Sequence, residues 1–144
     1  MSIEIAFEDL LDKLKSIAEL THNSKTWVSA TIGGKEIDPT NRKVQRPAVW
    51  ASFVGDQIVS RGNPKPCASV IQLNFVVKLL VDYDTDANLT STHLPLIHTI
   101  ARAINGMQPT GMYGSWWAYD GAVWESLDPD RMVWNLNFSI QFGL

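Results

Sequence analysis

The chain is poor in the residue types that usually announce chemistry. Its 144 residues include one cysteine and three histidines. A lone Cys67 cannot close an internal disulfide, which fits a reducing compartment; it reads as a small apolar residue at the start of a strand rather than as a nucleophile. His22, His93 and His98 are the candidates for a general base or a metal ligand. His93 and His98 are five apart, so they do not share a helical face as an i,i+4 metal pair would. No serine or cysteine stands in a nucleophile elbow, and no glycine-rich phosphate loop follows a strand. Carboxylates are plentiful but sit in turns. No enzyme activity, cofactor or metal is expected from this inventory.

Long apolar runs are also missing. No stretch approaches the ~20 residues that a membrane-spanning helix requires. The start, Met1-Ser2-Ile3-Glu4-Ile5, is acidic where a secretory signal would be basic, so export by that route is not expected and the sequon Asn88-Leu89-Thr90 reads as accidental. Net charge is -3. The basic stretch lacks the Phe and Tyr platforms that single-stranded nucleic acid would want, and no sequence-specific nucleic-acid partner is expected. Asp82-Tyr83-Asp84-Thr85-Asp86 imitates the start of a calcium loop. Ala87 and His93, however, occupy the positions where that loop needs glycine and a bidentate glutamate. It is read as a charged strand-to-helix turn.

What the chain does have is pattern. Trp134-Asn135-Leu136-Asn137-Phe138-Ser139-Ile140-Gln141-Phe142 alternates apolar and polar throughout, and Ile71-Gln72-Leu73-Asn74-Phe75-Val76-Val77-Lys78-Leu79 nearly repeats it. Alternate side chains of a strand face opposite ways, so both segments cover a core with one face and offer amides and a hydroxyl on the other. Leu73, Phe75, Val77, Leu136, Phe138 and Ile140 are the expected core set, and a one-residue slip would turn all of them outward. Phe7, Leu10, Leu11, Leu14, Ile17 and Ala18 fall on one face of a helix over about 4–20. Leu94, Ile97, Ala101 and Ile104 mark a second helix over about 92–105, with Ser91 or Thr92 as cap, Pro95 in the first turn and Gly106 as the stop. Short strands are expected at 27–32 and 48–54, with polar connections at 33–46 and 55–66. A closing hairpin turns at Leu127-Asp128-Pro129-Asp130. The fold class is α+β: a mostly antiparallel sheet with two amphipathic helices packed on one face, in a single domain spanning 1–144. A chain of this length buries about 68–70% of its unfolded surface.

Two stretches stand apart from this scaffold. Lys35, Arg42, Lys43, Arg46, Arg61 and Lys65 fall together, whereas Asp82, Asp84, Asp86, Asp120, Glu125, Asp128 and Asp130 gather elsewhere. This is either ordinary solvated loop or a pair of complementary patches suited to head-to-tail contact between copies. Residues 106–121 hold four glycines, Tyr113, Trp116, Trp117 and Tyr119. Such a stretch either extends the core, together with Trp124, or forms an interaction surface rich in the side chains that dominate interfaces.

The arrangement resembles the tail terminator, or tail completion, proteins of long-tailed bacteriophages and phage-like contractile particles. The likeness lies in the amphipathic start Phe7-Glu8-Asp9-Leu10-Leu11 and in Arg46-Pro47-Ala48-Val49-Trp50 leading into a strand. It continues in Val81-Asp82-Tyr83-Asp84 ahead of a helix, and in the closing hairpin Trp124-Glu125-Ser126 to Trp134–Ile140. It covers most of the chain as layout, not as a diagnostic motif. The resemblance implies a structural virion protein in the tail or neck, assembled in the host cytoplasm. It would form a ring, typically hexameric, that caps the tail tube, ends elongation and presents the surface to which the head joins. Its partners would be itself, the tail tube protein, connector or neck proteins and, in contractile tails, the sheath. On that reading Arg42, Lys43 and Arg46 contribute to one contact surface and Trp116 and Trp117 anchor another. A head-completion, connector or tube protein would read similarly, and a small-molecule-binding α+β domain is the reading from another class.

Overall fold

The computed structural model describes residues 3–22, 25–26, 28–31, 47–60, 69–83, 85–111, 114–128 and 131–143. The 33–46 segment with Arg42, Lys43 and Arg46, the 61–66 connection with Arg61 and Lys65, Cys67, Trp27 and the Pro129 turn lie outside the described residues.

Helix α1 (Ile3–Lys15) is followed by a 3-10 turn (Ala18–Leu20) and a two-stranded ribbon of β1 (Thr21–His22) and β2 (Lys25–Thr26). Glu4 in its first turn and Lys13 and Lys15 in its last complement the helix dipole. The main sheet has the order β3-β4-β5-β7-β6, with β3 (Val28–Thr31), β4 (Ala48–Ser60), β5 (Val70–Asp82), β6 (Trp117–Asp128) and β7 (Arg131–Gly143). The four long strands pair antiparallel, and β3 alone runs parallel to its neighbour β4. Parallel neighbours cannot be joined by a tight turn, which is why a long stretch of sequence separates these two. Helix α2 (Leu94–Ile104) joins β5 to β6.

The pairing of β5 with β7 sets Leu73 opposite Ile140, Phe75 opposite Phe138 and Val77 opposite Leu136. All six are buried and share one core with α1 and α2. The alternating pattern therefore specifies both the register and the covered face. Each such side chain contributes roughly 1.5–3 kcal/mol of gross transfer free energy. Phe75 lies at the centre, its ring 5.7 Å from that of Phe7, 5.4 Å from Phe53 and 5.0 Å from Trp117.

Several elements run longer than the sequence pattern implies. β4 passes through Gly55-Asp56 because Val54 is accommodated as a bulge between the pairs Phe53–Phe75 and Gly55–Asn74. β6 begins at Trp117, inside the glycine-rich stretch, and bulges at Asp120, where Gly121 takes a φ of 117° that suits glycine. The second helix also begins earlier than Thr92, at Ala87, about one and a half turns ahead. Asn88 Oδ1 accepts the Thr85 N–H at 2.9 Å, the back-reaching half of a capping box. Ser91, expected as a cap, instead donates its hydroxyl to the Ala87 carbonyl at 2.9 Å. Pro95 thus falls within a continuous helical run, and the π-helical turn Leu89–His93 ahead of it absorbs the backbone mismatch. The buried stripe of α2 is Leu96, Ile97, Ile100, Ala101 and Ile104, whereas Leu94 and His98 face outward.

On the sheet face away from the helices, Gln141 donates to Gln72 Oε1 at 3.0 Å and Gln72 to Asn74 Oδ1 at 2.8 Å. The amides of the alternating strands thus partner one another across β5 and β7. This face is not polar throughout: Trp50, Leu80 and Val133 form a second, smaller buried cluster at one end of it. No helix of the described residues is long and apolar enough to cross a membrane.

Candidate interaction site

The aromatic stretch before β6 is held at its base by the end of α2. Gly106, with a φ of 81°, terminates the helix and donates its N–H to the Trp117 carbonyl at 2.7 Å. The Trp117 N–H returns a bond to the Met107 carbonyl at 2.9 Å, and the Tyr119 N–H bonds Asn105 Oδ1 at 3.0 Å. Farther out, Asp9 on α1 accepts the Thr110 N–H at 2.6 Å and its hydroxyl at 3.3 Å. The loop is therefore tied at its base and midway along.

This anchoring separates the two adjacent tryptophans. Trp117, the first residue of β6, points into the core, is 1% exposed and meets Phe75 edge to face. Trp116 points the other way and is 56% exposed. It lines a groove of about 210 Å³ with Gly114, Ala118, Ser139 and Gln141 on the polar face of the sheet. In the folded subunit Trp117 serves packing, and Trp116 is the member of the pair within a partner's reach.

A second aromatic site lies near the other end of β6. Trp124 pairs directly opposite Trp134 across the closing hairpin, yet is 56% exposed. With Tyr83, Leu89 and Met132 the two indoles line a pocket of about 420 Å³. Behind it stands His93, fully buried. Trp134 Nε1–H donates to His93 Nδ1 at 3.3 Å, which leaves Nε2–H to donate to the Asp82 carbonyl at 2.6 Å. An indole nitrogen can only donate, so this geometry fixes the imidazole as the neutral Nε2–H tautomer. His93 is thus a pin between the π-helical turn, the end of β5 and Trp134. It is not available as a base or ligand in this arrangement. The Tyr83 hydroxyl donates to the Asp86 carboxylate. That bond, with some desolvation and the nearby negative charge, pushes the phenol above its ordinary value.

Trp124 and Trp134 were legible as strand residues, but their meeting depends on hairpin register, which fixes positions across from each other only once the turn is known. A tryptophan on the outermost strand of a hairpin was the available signal.

The sheet also leaves two unlike edges. β6 is outermost on one side and carries exposed Val123 and Trp124. On the other side β3 covers β4 only from Val49 to Ser52, so the half of β4 beyond the bulge has no neighbour on that edge among the described residues. That half carries exposed Val54, Ile58 and Val59. Open edges with apolar side chains are templates for further pairing.

No protein-family model and no curated protein matches the chain. Among solved structures, 31 chains match. One is a chain described as from the virion of a native gene transfer agent particle, 12% identical, with a TM-score of 0.59 over 99% of this chain and 100% of that one. The chain shares its fold with that virion component along essentially the whole length of both.

Proposed function

We propose that this protein is a structural component of a phage-like particle that assembles into a ring at the end of the tail tube, ends tube elongation and offers the surface to which the head joins. The observation that carries the reading is the pair of unlike sheet edges that are open among the described residues, β6 with Val123 and Trp124 and the outer half of β4 with Val54, Ile58 and Val59. A closed ring requires a heterologous contact, in which each subunit gives two different surfaces. Two apolar edges on opposite sides of one sheet meet that requirement, and joining them would remove the hazard each presents alone. The shared fold with a gene transfer agent virion component supports membership of such a particle. The resemblance to tail terminators supports the position within it.

On this reading the work is surface complementarity, with the tube and neck proteins as partners on the two faces of the ring. Trp116 is proposed as an anchor on one of those faces, and Arg42, Lys43 and Arg46 as contributors to another contact. The test is removal of the gene from a particle-producing host, followed by electron microscopy. Overlong tubes without heads are expected. Tails of normal length that merely fail to carry heads would favour a connector role, and intact particles would refute the proposal.

A further inference from the structure

The pocket between Tyr83, Trp124 and Trp134 has a chemistry that selects its occupant. Its lining offers ring surface, the Met132 thioether and Leu89, with no lysine or arginine among the described residues. Of the three polar donors among the lining side chains, two are already committed, Trp134 Nε1–H to His93 and the Tyr83 hydroxyl to Asp86, which leaves the Trp124 indole N–H. An anion would therefore find one neutral donor and no positive charge among the described lining residues. A cation would meet up to three aromatic rings, one of which, Tyr83, is bonded to the Asp86 carboxylate. The acidic stretches 82–86 and 125–130 flank the pocket in sequence, and Arg131, in register with Asp82 and Asp128, offsets part of that charge.

The chain itself supplies the complementary group. Half of its twelve Lys and Arg residues, Lys35, Arg42, Lys43, Arg46, Arg61 and Lys65, fall in the part of the sequence that flanks β4. Arg61 and Lys65 follow directly on the half of β4 whose edge is open, and Trp124 sits on the opposite outermost strand. We infer that the Tyr83–Trp124–Trp134 pocket receives a lysine or arginine side chain from the 35–65 segment of a second copy of this chain, fixing the register of the contact between subunits. The inference rests on the self-assembly proposed above and names its partner group. Apolar edges pair with little positional preference, whereas one cation in one aromatic pocket allows a single alignment.

The experiment places p-benzoylphenylalanine at Trp124 in the full-length chain, mixes it with isotope-labelled unmodified chain, irradiates the mixture and identifies the crosslinked peptides. Links between light and heavy chains ending in the 35–65 segment are expected. In parallel, self-association is measured by sedimentation at rising salt for Trp124→Ala, Trp124→Leu, and the charge reversals R42E/K43E/R46E and R61E/K65E. Trp124 is more than half exposed, so its variants keep the fold, as circular dichroism would verify. Trp124→Ala and the reversal that matches the crosslink should each weaken association about tenfold, and combining them should add little. Trp124→Leu should fail to restore it, because leucine keeps apolar area but has no ring face. Self-association with crosslinks ending elsewhere, or full affinity in Trp124→Leu, would overturn the pocket assignment while leaving assembly standing. A strict monomer at every concentration would overturn both.

Discussion

Truncating the two adjacent tryptophans should have unequal consequences, because the chain direction at the start of β6 sends them to opposite faces. Trp117 is 1% exposed and packs edge to face on Phe75, at the meeting point of the sheet and both helices. Loss of a buried tryptophan side chain costs about 3–5 kcal/mol through lost transfer energy and the cavity left behind. One term opposes this: the Trp117 indole nitrogen is buried without a hydrogen-bond partner among the described residues, so alanine also removes a standing penalty of about 1 kcal/mol. The expected net loss for Trp117→Ala is therefore roughly 2–4 kcal/mol. In a domain of this size that corresponds to a fall in melting temperature of roughly 7–13 °C. Trp117→Phe should recover most of it, since a phenyl ring keeps the contact and discards the unpaired donor. Trp116→Ala, at 56% exposure, should change stability by no more than about 0.5 kcal/mol while impairing attachment to the particle. Urea and thermal unfolding followed by circular dichroism measure both. Equal losses for the two alanine variants, or a larger loss for Trp116→Ala, would refute the assignment of faces.

Two further outcomes follow from the polar network behind the aromatic pocket. His93→Ala removes the fully buried ring that bonds the Asp82 carbonyl and the Trp134 indole N–H. It should destabilise by about 2–4 kcal/mol and loosen the π-helical turn, read as faster amide exchange over 87–93. The Tyr83 phenol is held above its ordinary 10.0 chiefly by its hydrogen bond to Asp86, so Asp86→Asn should bring one tyrosine's spectrophotometric titration back down. The sign follows from linkage. The fold favours the neutral phenol, so this contribution is fully present below the ordinary value and is lost as pH rises through the raised one.

The parts of the fold that were legible in the sequence are those where one periodicity met one buried face. Leu73, Phe75, Val77, Leu136, Phe138 and Ile140 could be assigned together because strict alternation leaves only one face apolar. Gly106 could be placed as a helix stop because a left-handed residue is needed there. The start of the second helix was hidden by Pro95, which ordinarily marks a first turn; here a π-helical turn absorbs it and Asn88 caps a turn that begins earlier. Gly55 and Gly121 looked like strand ends because glycine usually interrupts strands, but both lie at bulges that keep the ladder running. The split between Trp116 and Trp117 depends on where β6 begins, which a glycine-rich stretch without periodicity does not reveal. The Trp124 pocket needs the register of the closing hairpin, the arrival of Leu89 and the placement of Tyr83, all of them long-range facts. The basic residues Arg42, Lys43 and Arg46 enter the account through charge alone.

Whether unlike edges of this subunit join into a closed ring is decided by native mass spectrometry of the protein across a range of concentrations. One dominant assembly is expected at a fixed multiple of the subunit mass, about six, that does not grow as concentration rises, since a heterologous contact that closes leaves no free edge. An even ladder of ever longer oligomers, a two-fold dimer that goes no further, or a monomer at every concentration would contradict it.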